Sequence, residues 1–109
     1  MELRCTLRNR NRTCFLTMVG DIDLDASDEL LRVRDALGTR PGPLRVDLTG
    51  VTFMDLTGVH FLTDLRERGR ADGTSLVLVG VPSGPARLLR LLGLTDFHVE
   101  RPPAGVVNG

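Results

Sequence analysis

The chain has 109 residues, of which 41% are hydrophobic and 26% charged, enough for one compact domain with its own core and too few for a two-domain enzyme. Its 14 basic residues are all Arg and are balanced by 14 acidic ones, and a zero net charge argues against nucleic acid or an anionic membrane as the main partner. Trp and Tyr do not occur and Phe occurs 4 times, so stacking platforms for single-stranded nucleic acid are missing as well.

No apolar stretch after Met1 would serve as a secretion signal, and the 2 cysteines cannot build a dense disulfide framework. A reducing, cytoplasmic setting is expected. The longest useful apolar run, Leu76 to Val81, is interrupted by Gly80 and falls far short of the roughly 20 residues a membrane helix needs.

Leu3, Cys5 and Leu7 alternate with polar residues, the period-2 pattern that predicts a strand over residues 2–8. Asn9 to Arg12 reads as a polar turn, and Thr13 to Val19 resumes a β-rich run that Gly20 ends, giving a hairpin. From Asp25 to Leu37 the apolar residues Ala26, Leu30, Val33 and Leu37 fall on one helical stripe, with Gly38 as the stop. Gly38 to Pro43 is a loop, Leu44 to Leu48 a strand, and Val51 to Met54 continues apolar after a break at Thr49-Gly50.

A second helix opens at Asp55-Leu56-Thr57-Gly58 and ends near Gly69, with Val59, Leu62 and Leu65 inward and Arg66, Glu67, Arg68 and Arg70 outward. Ser75 to Val79 is a continuous apolar run expected to be buried on both faces. Ser83 is placed to cap a third helix with Ala86, Leu89 and Leu92 on one stripe and Gly93 as its stop; Phe97 to Glu100 makes a last short strand. Residues 102–109 lack periodicity and charge and read as a frayed tail after a domain over 1–101. Helices alternating with the later strands predict an α/β domain, its mixed, mostly parallel four- or five-stranded sheet carrying an N-terminal antiparallel hairpin and flanked by about three helices.

No catalytic constellation stands out. His60 and His98 have no ligand-type neighbours at metal spacing, and both read as surface or boundary residues. Cys5 and Cys14 would face one another only if the hairpin loop were Asn9-Arg10, and free buried thiols are the simpler reading. The glycines form no phosphate cradle, and Ser83 reads as a helix cap rather than a nucleophile. No cofactor is implied, and an enzyme is not expected. Two features rise above this background. Residues 21–29 hold 5 acids (Asp21, Asp23, Asp25, Asp28 and Glu29) and no base; their plain reading is a solvated, capped helix start. In Phe53 to Gly58 a strand runs into Asp55 and Thr57 at a helix start, where the plain reading is again capping. Loops after successive parallel strands leave from one end of a sheet, so the two segments are expected to converge there.

Taken together, Gly20-Asp21-Ile22-Asp23, the strand Leu44 to Leu48, the run Val51 to Gly58, Pro82 to Leu89 and Leu92-Gly93-Leu94 resemble the STAS domain of bacterial anti-sigma factor antagonists. The resemblance covers roughly residues 2–100. It implies a protein that binds an anti-sigma factor, often itself a serine kinase, and so frees a sigma factor for transcription. In that family the motif after the third strand reads Asp-Ser-Ser/Thr-Gly, and the kinase phosphorylates the first hydroxyl. Leu56 occupies that position here, and Thr57, matching the second hydroxyl, is the remaining candidate acceptor. With such a partner, binding is expected at Asp21, Asp23, Asp25, Asp55, Leu56, Thr57 and Gly58, where the acidic segment and the start of the second helix converge. The resemblance also leads to a fourth helix after the last strand, for which the tail here is too short and too rich in Pro and Gly. A monomer or weak homodimer is expected. The alternative is a small-ligand sensor or scaffold of the same fold without phosphorylation control.

Overall fold

The computed structural model describes residues 1–38 and 42–102. β1 (Arg4–Arg10) and β2 (Thr13–Ile22) form the hairpin; a 3-10 turn (Leu24–Ala26) leads into α1 (Ser27–Leu37), and β3 (Leu44–Met54), α2 (Leu56–Asp72), β4 (Leu76–Val79), α3 (Ser83–Leu91) and β5 (His98–Glu100) follow. The strands lie side by side in sequence order, with β1 antiparallel to β2 and every later neighbour parallel. This is the α/β class expected from the alternation of strands and helices.

Each parallel step advances in the same direction across the sheet, and crossovers of one hand then place all three helices on one face. The core bears this out: Leu16, Met18, Ile22, Val46, Leu48 and Leu78 point into one cluster with Leu30 and Val33 of α1, Leu62 and Leu65 of α2 and Leu89 of α3. Val77 and Val79, on the opposite face of β4, lie outside that cluster yet are buried, flanked by the Arg45–Glu100 ion pair. β4 is therefore covered on both faces, as its continuous apolar run predicts.

The details that differ have local causes. The hairpin turns at Asn11 and Arg12, both with positive φ, so β1 runs on to Arg10 and Cys5 pairs with Met18 while Cys14 pairs with Asn9. The two thiols are apart and form no disulfide. Thr49-Gly50 does not break β3; register shifts against β2 absorb it, and the strand reaches Met54. α2 passes Gly69 and ends at Gly73 in the left-handed region. Arg66 does not point outward: it is folded over the Phe97 ring, 4.4 Å from its centroid, and pairs with Asp96. Pro82, not Ser83, precedes α3, and Ser83 makes no capping hydrogen bond. Leu92, expected on the buried stripe of α3, is exposed at its C-terminal boundary. From Pro103 onward the expected tail lies outside the described residues.

Candidate functional site

The ends of β2 and β3 fix the site. Ile22 pairs with Met54, and the Asp55 N–H donates to the Ile22 carbonyl at 3.1 Å. The segments that follow, Asp23 onward and Leu56 onward, therefore leave the sheet at the same end, as parallel topology requires. α1 and α2 both begin there and run back along the same face.

At the start of α2 the sequence is used up by structure at two positions. Asp55 is the N-cap: its Oδ1 accepts the Thr57 N–H at 2.8 Å, and its carbonyl accepts the N–H groups of Gly58 and Val59 at 3.1 and 3.2 Å. Gly58 is buried where a Cβ would collide with the Met54 side chain and lie 2.9 Å from Ile22 Cγ2. The missing Cβ lets the first turn of α2 sit this close to the strand ends without displacing Met54 or Ile22. Leu56, by contrast, is 51% exposed and has no burial to explain it. Thr57 is half-buried and lines a groove of about 410 Å³ between α1 and α2, opposite Leu30, Leu31 and Arg34 and beside His60 and Asp64. Arg34 bridges to Asp64 across this groove at 2.8 Å.

The acidic segment divides in the same way. Asp21, Asp23, Asp25, Asp28 and Glu29 do gather around one hollow of about 690 Å³ beside Met1 and Glu2. Asp21 has both oxygens engaged, Oδ2 by the Met1 ammonium at 2.5 Å and Oδ1 by the Thr52 hydroxyl at 2.6 Å. The hydrogen bond from that ammonium, then the one from Thr52, holds its carboxyl below the ordinary range, and the ammonium is raised in turn. Glu29 turns away toward β1, where it accepts the Cys5 N–H at 3.0 Å and two bonds from Arg32, whose own Nη2 donates to the Cys5 carbonyl at 3.1 Å. Arg32 is the main reason the Glu29 carboxyl is held down, while burial, with Glu29 nearby, pushes the Cys5 thiol up to about 12. Asp23 and Asp25 do no capping: the 3-10 turn and α1 both start without a side-chain cap bond. Neither enters an ion pair among the described residues.

Composition and motif reasoning missed the apolar part of this end. Leu24 is 74% exposed and Leu31 54%, and Phe53 is exposed as well. The signal was present, because Leu24 and Leu31 fall off the Ala26-Leu30-Val33-Leu37 stripe and so cannot be core. Among the described residues no group of three or more His, Cys, Asp and Glu is arranged to hold a metal ion, and no helix is long and apolar enough to cross a membrane. This end therefore presents exposed leucines, a helix tip, and the carboxylates of Asp23 and Asp25 outside any cap or ion pair among the described residues.

A single layer of helices on a mixed five-stranded sheet, with α1 and α2 both starting at the ends of β2 and β3, defines a small α/β domain. The chain belongs to the STAS domain family: the family model described as "Mlab, STAS domain" matches residues 5–101. It is 29% identical over 93 residues to the anti-sigma-B factor antagonist of Listeria monocytogenes serovar 1/2a, covering 84% of this chain and 82% of the relative. Among solved structures it is similar to the anti-sigma factor antagonist SpoIIAA in its unphosphorylated form, with a TM-score of 0.73 at 14% identity over 92% of this chain and 90% of that one. An anti-sigma factor antagonist from Mycobacterium paratuberculosis matches with a TM-score of 0.75 at 21% identity, covering 94% and 88%. At these identities the structures establish the fold.

Proposed function

We propose that this protein is a cytoplasmic anti-sigma factor antagonist that acts by docking, without catalysis of its own, onto an anti-sigma factor of the serine-kinase type, so releasing a sigma factor. The observation that carries the reading is Leu56, exposed on the first residue of α2 with no structural task, at the position where the family resemblance puts the phosphorylated hydroxyl. Leu31 and Thr57 line the adjacent groove, and Leu24, Asp23 and Asp25 belong to the same end of the sheet. Here apolar side chains give contact area and the carboxylates steer a basic partner into register.

The Leu at 56 changes the control. In a phosphorylatable relative a group of about −1.5 to −2 charges at this corner, added to the acids already there, opposes docking. Leu has no oxygen to accept a phosphoryl group, so the docking surface of this chain stays switched on unless Thr57 is modified instead. Thr57 shares its groove with His60 and with the Arg34–Asp64 ion pair.

Binding of purified chain to candidate anti-sigma kinases tests this. Leu56→Asp is expected to weaken docking by roughly tenfold or more, about 1.4 kcal/mol, with the fold intact by circular dichroism. Leu56→Ser is expected to restore a phosphorylatable corner, and Asp23→Ala to slow association. Equal affinity for all three variants would move the interface elsewhere. Incubation with kinase and ATP followed by intact mass settles the control: stoichiometric phosphate on any residue but Thr57 would remove Thr57 from it.

A further inference from the structure

The zero net charge conceals a segregation of charge. Opposite in character to the acidic corner is the edge strand β1, whose Arg4, Arg8 and Arg10 are exposed on alternate positions and enter no ion pair among the described residues. Alternation puts these three on the sheet face away from the helices, since Cys5 and Leu7 pack toward the core. Arg8 pairs across β2 with the half-buried Phe15, which pairs in turn with Arg45.

The backbone of β1 has its own parity. In an antiparallel ladder alternate residues turn both N–H and C=O outward. At Cys5 both outward groups are taken, by Glu29 and Arg32 of α1, whose side chains stand in for a neighbouring strand. Leu7 and Asn9 share the parity of Cys5, so their amides and carbonyls face off the sheet edge beyond the reach of that clamp.

An exposed edge of this kind invites pairing, and the arginines decide with what. A second copy aligned antiparallel about Leu7 would set Arg4 opposite Arg10 and Arg8 opposite Thr6, so like charges oppose self-association. An anionic strand would meet the same three cations as partners. Nucleic acid fits less well, because the edge offers strand hydrogen bonds and Phe15 is not free to stack. We propose that the Leu7–Asn9 stretch of β1 is a second docking site, separate from the α2 corner, which takes an extended acidic segment of a partner protein by strand addition. This mode draws affinity from main-chain bonds and selectivity from alternate side chains.

The test uses the whole chain and a blocked peptide alternating Glu with Val, about as long as β1. Hydrogen exchange at the Leu7 and Asn9 amides is expected to slow at saturating peptide, and affinity to fall as salt screens the arginines. The Arg8→Glu/Arg10→Glu double variant is expected to bind roughly tenfold or more weakly. Arg8→Gln/Arg10→Gln serves as a milder second variant, and circular dichroism verifies folding of both. Leu56→Asp is expected to leave peptide binding unchanged, which separates this site from the α2 corner. The proposal is overturned by unchanged exchange at those two amides, by equal binding of a Gln-Val peptide, or by tighter binding of an RNA oligonucleotide.

Discussion

α1 and α2 start at the same end of the sheet, one strand apart, and solve the same problem in opposite ways. α2 has a side-chain cap, Asp55, and no acid in its first turn; α1 has no side-chain cap and carries Asp28 and Glu29 in its first turn. Both arrangements satisfy the positive end of a helix. The difference is in what is left over. At α2 the polar group is consumed by the backbone, and the unexplained residue is apolar, Leu56. At α1 the backbone takes no carboxylate at its cap, and Asp23 and Asp25 remain available to another molecule. A residue's chemistry therefore says less about its role than whether its bonds are already spent within the fold.

The largest effect expected is at Gly58, where the α2 start depends on close packing. Gly58→Val drives two methyl groups into Met54 and Ile22 and is expected to cost about 3 kcal/mol, read as a fall in the urea midpoint. Gly58→Ala should cost only about 1 kcal/mol, because the Met54 chain can shift and Ala favours helix. Equal stability of all three chains would mean that the corner is not packed as described.

Next comes the cap itself. Asp55→Ala is expected to lose about 1 kcal/mol, and Asp55→Asn only a few tenths, since Asn retains an oxygen for the Thr57 N–H. A loss of partner binding by Asp55→Asn at unchanged stability would reverse the assignment, making this residue a contact rather than a cap.

The clamp from α1 to β1 is smaller and depends on pH. The Glu29 carboxyl is held below its ordinary value of 4.5, so its contribution is present above that value and is lost as pH falls through the lower folded value. Glu29→Gln should therefore be less stable than the parent at neutral pH, with the gap closing below pH 4.5. Asp21, Asp96 and Glu100 are also held low, but they are common to both chains and cancel. Parallel acid limbs in urea titrations would show that Glu29 contributes nothing through its charge.

The alternation of strand and helix was legible because it is a repeated, one-dimensional pattern, and the convergence of Asp23 with Leu56 followed from parallel connection alone. What stayed hidden was pairwise. Whether Asp21 is spent depends on Thr52 and Met1, and whether Glu29 is spent depends on Cys5, contacts between residues 20 or more apart in sequence. Arg66 looked like a solvated charge because nothing local marks Phe97 as its neighbour. The Gly58 requirement was hidden because it arises from how the Met54 and Ile22 side chains close on the first turn of α2, which spacing along the chain does not reveal. Ser83 had the right chemistry for a cap but fell one residue late, after a proline whose extended backbone already ends the loop.

The smallest effect on stability is expected where the comparison has most to gain. Asp23→Asn/Asp25→Asn removes two charges that make no side-chain cap bond and no ion pair among the described residues, so the unfolding free energy should move by no more than about 0.5 kcal/mol. Association with a basic partner should nonetheless slow by up to roughly tenfold at low salt, and the deficit should disappear near ~1 M salt, because steering acts on the encounter and is screened. Stopped-flow rates at two ionic strengths separate the cases. A deficit that persists at high salt would mean direct contact rather than steering. A loss of stability instead would place these acids with Asp55 as parts of the scaffold, and the contrast between the two helix starts would vanish.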